Sequence, residues 1–474
     1  MNAQYYLKQL FELLSIPSIS AQSEHKKDMK RCTEWLQKKL VSLGFKVNIL
    51  PTNGHPVVYA ELISNVQSLS EPEVLSGRRP TVLIYGHYDV QDPGNLNEWS
   101  SNPFKPEIRS GNIYARGAAD NKGQLYTWIA ALEEMLYHPS LNHPRGVIQI
   151  NNNNKDHTPG VYSFPNIKFL IEGEEEVGSS NLDDFIADNT ALLKSDICVI
   201  SDTHNLSEAQ PMIDYGLRGL VYMEMVIKTL AKDVHSGLYG GNVLNPANVL
   251  ASIISKLKDD NHKVLIPGFY DNVRKLSSNE LKQLEKLPFT EKDITSETGA
   301  LVTAGEKEFG YHARAGARPT LDVNGIWSGY TGDGPKTIIP SEAYAKISMR
   351  LVPHQTSTEI KEKFITYITS LVPEGAEVEI KVLSTGEPIL IDTHSTYFEA
   401  AEKAYERVFG TKPVYELSGG SIPVTAVFKT ILGIDSILMG YGLPDDGLHS
   451  PNEKLSVSMF EKGIRTNIEF LTSL

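Results

Sequence analysis

A chain of 474 residues exceeds the size at which one hydrophobic core stops growing, so its length predicts two domains. Hydrophobic residues make up 41% and charged residues 22% of the sequence, a mixture typical of globular proteins. The formal net charge of −13 argues against nucleic acid as a partner, because binding the phosphate backbone requires a basic surface.

The two cysteines and the N-terminus indicate the compartment. Cys32 and Cys198 lie in unrelated contexts and form neither a disulfide framework nor a CxxC metal motif. The N-terminus lacks the basic and apolar regions of a signal peptide, and no apolar run approaches the length of a membrane span. The sequence therefore predicts a cytoplasmic protein that does not bind a membrane.

Apolar runs typical of buried strands alternate with helical periodicity at both ends of the chain. A helix is predicted over residues 23–43, between the capping Ser23 and a stop at Gly44. The elements that follow are a strand at 81–85, a helix at 124–136, a strand at 167–171, a helix at 182–193 and a strand at 197–200. The C-terminal elements are a helix at 397–409, a strand at 436–439 and a helix at 459–471. This alternation predicts an α/β fold with a mainly parallel central sheet.

The middle of the chain has a different pattern. Strands are predicted at 221–228, 343–352 and 378–382, and helices at 246–256 and 358–371. The strand at 343–352 alternates apolar and polar residues, as in a sheet that is covered on one side. We interpret residues 214–388 as an inserted α+β domain, with residues 1–213 and 389–474 as the two parts of the catalytic domain. Polar stretches at 64–80 and 151–165 are predicted to be surface loops.

Acids and histidines follow the predicted strands at the point where each strand ends. They are His87 and Asp89, the acidic residues of 172–176, Asp202, and the run 445–449, and Asp120 opens a predicted helix. Because the carboxyl ends of the strands in an open α/β sheet face one crevice, we expect these side chains to converge. Histidine and carboxylate ligands without thiolates suit zinc, and less specifically manganese or cobalt.

Each of these features has a simpler explanation when it is taken alone. A His-x-Asp pair at a strand end is more often structural, and an acidic run such as 174–176 is more often solvated surface. Their common position at one sheet edge favours a metal cluster instead. Two metals need a bridging carboxylate, and the neighbours Glu175 and Glu176 supply a ligand and a general base.

Five motifs occur in order along the chain. They are Gly-His-Tyr-Asp-Val (86–90), Arg-Gly-Ala-Ala-Asp-Asn-Lys-Gly (116–123), Glu-Gly-Glu-Glu-Glu-Val-Gly-Ser (172–179), Asp-Val-His-Ser-Gly (233–237) and Leu-His-Ser-Pro-Asn-Glu (448–453). Together they resemble the carnosine dipeptidase family, part of the zinc exopeptidases that also include aminoacylases, glutamate carboxypeptidases, acetylornithine deacetylases and succinyl-diaminopimelate desuccinylases. The resemblance covers essentially the whole chain. It implies a zinc-exopeptidase-like catalytic domain interrupted by an α+β lid and dimerisation domain, and a homodimer formed through that domain.

The resemblance also implies two Zn²⁺ ions per subunit, with Mn²⁺ or Co²⁺ as alternatives. By matching position, His87 and Asp202 bind one ion, Glu176 and His449 bind the other, and Asp120 bridges them.

The neighbouring motif residues take supporting roles by the same resemblance. Glu175 is the general base, Asp89 orients His87, and the peptide bond Asp120–Asn121 is cis. A third acid, Glu174, stands where relatives often have an apolar residue, so it is an alternative for the base.

The remaining site residues lie in or near the inserted domain. The resemblance makes His235 the group that stabilises the oxyanion, often from the partner subunit, and Arg350 the group that binds the substrate carboxylate. Thr337, Gly420 and Ser421 are implied to contact substrate. A histidine in a surface turn, an arginine at a strand edge and a helix cap at Ser421 are the respective structural alternatives.

Two patterns that point to other chemistry are set aside. Residues 329–337 nearly match a phosphate-binding loop, but Pro335 precedes the lysine and a strand follows in place of a helix. The sequence contains no Gly-x-Ser-x-Gly elbow, so covalent catalysis is not expected.

These observations predict metal-dependent hydrolysis of the amide bond of dipeptides or short peptides, with Glu175 as general base. The nearest alternative is a deacylase that acts on N-acyl or N-succinyl amino acids with the same metals. A catalytically inactive binding module and a nucleotide-binding enzyme are the alternatives from other classes.

Overall fold

The computed structural model describes residues 3–63, 79–137, 165–420 and 422–474. Most of the two predicted loops, at 64–78 and 151–164, and the predicted substrate contact Ser421 lie outside the described residues. The chain divides into two compact units. The first comprises Met1–Asp214, Ile391–Tyr415 and Val427–Leu474, and the second comprises Tyr215–Leu390 and Glu416–Ala426.

Strands occur along the whole described chain. They are β1 (Lys46–Leu50), β2 (Val57–Leu62), β3 (Thr81–His87), β4 (Glu107–Arg109), β5 (Asn112–Tyr114), β6 (Asn166–Glu172), β7 (Ile197–Ile200), β8 (Met212–Leu217), β9 (Gly219–Lys228), β10 (Val234–His235), β11 (Thr320–Ser328), β12 (Ile338–Ile339), β13 (Glu342–Leu351), β14 (Glu377–Gly386), β15 (Ile389–Leu390), β16 (Val414–Ser418), β17 (Ser436–Leu438) and β18 (Lys454–Ser456).

The α-helices also occur along the whole described chain. They are α1 (Ala3–Leu14), α2 (Lys26–Ser42), α3 (Lys122–Tyr137), α4 (Leu182–Asp188), α5 (Thr190–Leu193), α6 (Ser236–Tyr239), α7 (Pro246–Ile254), α8 (Ser278–Leu284), α9 (Glu291–Thr298), α10 (Tyr311–Gly316), α11 (Ser357–Leu371), α12 (Thr396–Phe409), α13 (Pro423–Val427) and α14 (Val457–Thr472).

The first unit is built on a mixed sheet with the strand order β1-β2-β6-β3-β7-β17-β8. The central strands β6, β3, β7 and β17 are parallel, whereas β1, β2 and β8 pair antiparallel at the flanks. All residues of β3 and β7 are buried, which explains why these strands appear in the sequence as unbroken apolar runs. The predicted α/β architecture with parallel central strands is thus confirmed.

Side-chain caps fix where several helices begin. Ser395 and Ser456 accept hydrogen bonds from the backbone of the first turns of α12 and α14, and Thr356 does so for α11. Helix α3 is buried along nearly all of its length, and it packs against α1 and α14. The start of α3 is therefore held in place by the body of the unit.

Two predicted helices differ in the structure. The helix expected at 23–43 begins with a 3₁₀ turn at Ser23–His25, and α2 starts only at Lys26. The helix expected at 182–193 is split into α4 and α5 at Asn189. The side chain of Asn189 donates to the carbonyl oxygen of Phe185 at 2.8 Å, and this local bond competes with continuation of the helix.

The second unit contains a four-stranded antiparallel sheet with the order β11-β13-β9-β14. Strands β9 and β13 alternate between buried and half-buried residues, so one face is covered. Helices α7 and α11 pack on that face and bury a core that includes Met223, Ile347 and Phe364. This is the α+β pattern predicted for the middle of the chain.

The limits of the second unit differ from the predicted insertion at one segment. Glu416–Ala426 belongs to the second unit, whereas the sequence places it with the catalytic domain. The reason is a set of contacts across a long sequence separation, in which Arg218 and His312 hold residues 416–420. Among the described residues, no helix combines the length and apolar composition needed to cross a lipid bilayer.

Candidate active site

Three neighbouring parallel strands place acids and a histidine at one edge of the central sheet. β3 ends at His87, β6 leads into a 3₁₀ turn at Glu175–Val177, and β7 leads to Asp202. Because β6, β3 and β7 are adjacent and parallel, their carboxyl ends adjoin. The sheet topology thus brings these residues together as expected.

Asp120 is carried by a tight turn before α3. The peptide bond between Asp120 and Asn121 is cis, as the motif resemblance implies. Asn121 donates from Nδ2 to the carbonyl oxygen of Ser201 at 2.6 Å, which ties the turn to the residue before Asp202. A Cβ atom at Gly123 would lie 1.8 Å from the carbonyl oxygen of Ala118, so only glycine lets the turn close this tightly.

The two carboxylate oxygens of Asp120 face two different histidines. Oδ1 lies 3.1 Å from Nε2 of His87, and Oδ2 lies 3.0 Å from Nε2 of His449. On the first side, Asp202 Oδ2 lies 3.7 Å from Nε2 of His87. On the second side, Glu176 Oε2 lies 3.0 Å from Nε2 of His449. The result is two groups of ligand-type atoms that share one carboxylate.

These separations match what a pair of cations needs. With metal–ligand bonds of about 2.0–2.2 Å, ligand atoms around a tetrahedral ion lie roughly 3.4 Å apart. His87, Asp120 and Glu176 offer ligand atoms within 4.8 Å of one another. Imidazole nitrogen and carboxylate oxygen are also the donors that zinc-type divalent cations take. The residues present therefore fit a dinuclear centre.

The charge of the cluster favours cations as well. Within the described part of the chain, the ion pairs of Asp89, Asp120, Glu176 and Asp202 are all with His87 or His449. These carboxylates therefore carry an excess of negative charge over the two imidazoles. Hydrogen bonds to Asp120 and Glu176 raise the pKa of His449 to about 10, and a divalent cation would take the place of that proton.

Asp89 contacts a residue of each of the two ligand groups. Nδ1 of His87 lies 3.1 Å from the backbone carbonyl oxygen of Asp89 and 3.3 Å from its Oδ1, and Oδ2 of Asp89 accepts a hydrogen bond from the backbone nitrogen of Glu176 at 3.1 Å. Contact at Nδ1 leaves Nε2 of His87 directed at the ligand cluster. Asp89 thereby contacts one residue of each group, His87 through its backbone carbonyl and Glu176 through its carboxylate.

The acidic run 174–176 separates into residues with different surroundings. Glu174 accepts a hydrogen bond from Asn181 at 2.8 Å and lies against Gly54, where a Cβ atom would meet its Oε1 at 1.8 Å. Burial raises the pKa of Glu175 to about 8, and the carboxylates of Asp202 and Asp120 add to that rise against the lowering effect of His87. Glu175 therefore interacts electrostatically with the carboxylates of the cluster, whereas Glu174 contacts Asn181 and the turn at Gly54.

Two further acids support the backbone of the site, and the sequence motifs imply no role for either. Glu172 accepts hydrogen bonds from Tyr85 at 2.5 Å and Ser179 at 2.9 Å, so it anchors the segment that contains Glu175. Glu453 is fully buried and bonds to the turn of Asp120. Their only sequence signal is that both are acids inside the motifs.

The predicted residues His235 and Thr337 lie side by side in the second unit. β10 and β12 pair with His235 opposite Ile338, and both predicted residues are exposed. The carbonyl oxygen of Thr337 accepts hydrogen bonds from the backbone nitrogen and the hydroxyl of Ser236, each at 3.1 Å. Nδ1 of His235 accepts a hydrogen bond from the backbone nitrogen of Gly237 at 3.0 Å, and the residue is exposed. Because a strand follows Thr337, the phosphate-loop alternative is wrong.

The loop that contains the predicted contact Gly420 is held by residues that the sequence does not single out. Arg218 donates from its backbone nitrogen to the carbonyl oxygen of Gly420 at 3.1 Å and from Nε to that of Gly419 at 3.0 Å. Nδ1 of His312 lies 2.7 Å from Oε1 of Glu416 at the start of the same loop. These contacts fix the backbone of the loop before any substrate is present.

Arg350, the predicted carboxylate-binding residue, is half-buried at the end of β13. It pairs with Leu220 of β9 and Thr320 of β11 in the sheet register. Its charge contributes, after burial, to lowering the pKa of Arg218 to about 10. The positive charges of Arg218 and Arg350 are therefore close enough to influence each other, with Asp322 acting in the opposite direction on Arg218.

A mixed sheet with a histidine–carboxylate cluster at its edge, joined to a separate antiparallel-sheet unit, defines a metal-dependent hydrolase. The family model described as "Peptidase family M20/M25/M40" matches residues 83–149, and that described as "Peptidase dimerisation domain" matches residues 215–376. The chain belongs to the M20 family of peptidases, which confirms the predicted class of enzyme.

Individual relatives cover nearly the whole chain. It is 30% identical over 473 residues to a Cys-Gly metallodipeptidase of Schizosaccharomyces pombe, covering 97% of this chain and 93% of the relative. It is 30% identical over 427 residues to the Beta-Ala-His dipeptidase of Homo sapiens, covering 88% and 77%. A solved structure, the M20 family metallo-carboxypeptidase Sso-CP2 of Sulfolobus solfataricus, shares 34% identity with a TM-score of 0.80 and covers 98% of both chains.

Proposed function

We propose that this protein hydrolyses the amide bond of dipeptides or short peptides that carry a free carboxylate. The observation that carries the proposal is Asp120, whose two oxygens each face a separate group of metal-type ligands. The names of the relatives, a Cys-Gly metallodipeptidase and a Beta-Ala-His dipeptidase, support dipeptides as the substrate class.

Five side chains would hold the two cations. His87 and Asp202 would bind one, Glu176 and His449 the other, and Asp120 both. Cations held there would supply Lewis-acid polarisation of the scissile carbonyl and would lower the pKa of a water molecule. The imidazole and carboxylate donors favour Zn²⁺, with Mn²⁺ and Co²⁺ as alternatives.

Glu175 is proposed as the general base. Its carboxylate removes a proton from the attacking water as the oxygen bonds to the carbonyl carbon. When the carbon–nitrogen bond breaks, the same carboxyl returns that proton to the departing amine. The half-buried position of Glu175 beside Asp120 and Asp202 supports this role, because burial favours a carboxyl group that both takes and gives a proton near neutral pH.

The second unit supplies the proposed substrate contacts. Arg350 binds the free carboxylate with its guanidinium fork, and Thr337, Gly420 and Ser421 line the substrate. His235 stabilises the negative charge that develops on the carbonyl oxygen. The pre-formed loop around Gly420 and the exposed position of His235 support these roles.

We further propose a homodimer formed through the second unit, with His235 acting in the site of the partner subunit. The match of residues 215–376 to a dimerisation domain supports the dimer. A cytoplasmic location is supported by Cys32 and Cys198, both of which are free and buried.

Replacing the base tests the assignment within the acidic run. We expect Glu175→Ala to lower kcat by at least about 100-fold, because proton transfer from water loses its acceptor, while bound metal measured by atomic absorption stays unchanged. Glu174→Ala is the matched control, and it should retain kcat within about three-fold because its carboxylate faces Gly54 and Asn181. The reverse outcome, an inactive Glu174 variant and an active Glu175 variant, would contradict the assignment and make Glu174 the general base.

A substrate panel tests the reaction class. We expect hydrolysis of free dipeptides, loss of that activity with a chelator and recovery with Zn²⁺. The same dipeptides with an amidated C-terminus are matched controls, and they should react at least about ten-fold more slowly because Arg350 loses its carboxylate partner. Faster cleavage of acetyl- or succinyl-amino acids would identify a deacylase, and inactivity of the metal-loaded protein on every amide would indicate a binding module.

Mixing two inactive variants tests the action of His235 across the dimer. A dimer of one Glu175→Ala subunit and one His235→Ala subunit contains one complete site if His235 serves the partner. Random exchange of subunits should then restore roughly a quarter of wild-type activity. If the mixture exchanges subunits yet stays inactive, His235 acts within its own subunit or not at all.

A further inference from the structure

Glu453 is a buried carboxylate at the centre of four hydrogen bonds. Its side chain is 0% exposed. Oε2 accepts from Nη1 of Arg116 at 2.7 Å and from the backbone nitrogen of Gly117 at 3.0 Å. Oε1 accepts from the backbone nitrogens of Ala119 at 2.9 Å and Asp120 at 3.0 Å. One side chain therefore binds three backbone nitrogens and one guanidinium group of the turn that carries Asp120.

The main chain joins the same two segments. The backbone nitrogen of Ala115 donates to the carbonyl oxygen of Glu453 at 3.2 Å. Immediately beyond, β5 and β18 pair with Tyr114 opposite Lys454. The turn of Asp120 is thus fastened to the segment that follows His449, although more than 330 residues separate them in sequence.

His449 depends on this segment for its position. Its backbone has a φ of 59°, a left-handed conformation that a non-glycine residue adopts only when neighbouring contacts hold it. The backbone nitrogen of Lys454, next to Glu453, donates to the carbonyl oxygen of Asp446 at 2.9 Å and closes the loop that contains His449. Glu453 therefore lies between the turn that carries Asp120 and the loop that carries His449, and its segment contacts both.

We propose that Glu453 is a positioning residue that makes the centre dinuclear, and this inference rests on the metal centre proposed above. It fixes the positions of Asp120 and His449 relative to each other, so that Oδ2 of Asp120, Nε2 of His449 and Oε2 of Glu176 surround the position of one cation. Both groups share Asp120, but the other group depends less on Glu453, because its remaining members His87 and Asp202 follow β3 and β7 of the central sheet. Loss of Glu453 therefore weakens the cation at Glu176 and His449 more than the cation at His87 and Asp202.

The four donors explain why this position requires a carboxylate. An ionised carboxyl group only accepts hydrogen bonds and has room for about four of them. A glutamine of the same shape would turn an amide NH₂ toward two of the donors. An aspartate would keep the charge, but it is one methylene shorter and cannot reach both pairs of donors.

Zinc titration of the metal-free protein tests the proposal. Glu453→Gln is compared with wild type and with Glu134→Gln, a matched control in which a buried glutamate that accepts from Tyr6 at 2.6 Å is changed. Competition with a chromophoric chelator gives the dissociation constants. We expect two Zn²⁺ per chain for wild type and Glu134→Gln, and for Glu453→Gln a second Zn²⁺ bound at least about ten-fold more weakly with the first within about three-fold.

The outcomes separate this proposal from the proposed function. Two wild-type affinities in a folded Glu453→Gln variant, with folding checked by circular dichroism, would overturn the role of Glu453 alone. A wild-type protein that binds no pair of Zn²⁺ ions would instead overturn the centre itself. If Glu453→Gln does not fold, Glu453→Asp is titrated in its place, with the same weakened second site expected and an unchanged one contradicting the proposal.

Discussion

The carboxylate of Asp120 lies between two histidines that come from distant parts of the chain, and the arrangement of the first unit follows from holding it there. His87 reaches one oxygen from the end of β3, and His449 reaches the other from the loop beyond β17. A single carboxylate can serve both groups only if its turn is placed to within a few tenths of an ångström. The close approach of Gly123 to Ala118 and the buried Glu453 are two means by which the fold achieves this.

The second unit carries the residues proposed to recognise a small charged substrate. Its positive residues Arg218 and Arg350 occur in a protein with a net charge of −13, so the anion binding proposed for Arg350 would be a local property of this unit. Arg218 and the His312–Glu416 pair hold the loop at Gly420 through contacts made to its backbone and its first residue. A loop fixed in advance loses little conformational entropy when a substrate binds.

Much of the fold and the convergence of the ligand-type side chains could be predicted because the relevant signals are local. Unbroken apolar runs mark β3 and β7, and a ligand-type residue follows each run, so adjacency in a parallel sheet brings His87 and Asp202 together. The supports of the site could not be predicted in this way. Glu453 bonds to Asp120 across a separation of 333 residues, and no periodicity in the sequence reports such a bond. The sequence does not predict the helix break at Asn189, because that break depends on a hydrogen bond of one side chain. It also does not predict that residues 416–426 belong to the second unit, because the side chain of Arg218 holds them there.

The shared carboxylate is tested most directly by anomalous diffraction from crystals of the zinc-loaded protein, recorded on both sides of the zinc absorption edge. The account predicts two zinc peaks per chain about 3.5–4 Å apart, with one oxygen of Asp120 bonded to each. His87 and Asp202 should contact one peak, and Glu176 and His449 the other. A single peak per chain, or two peaks that Asp120 does not join, would contradict it.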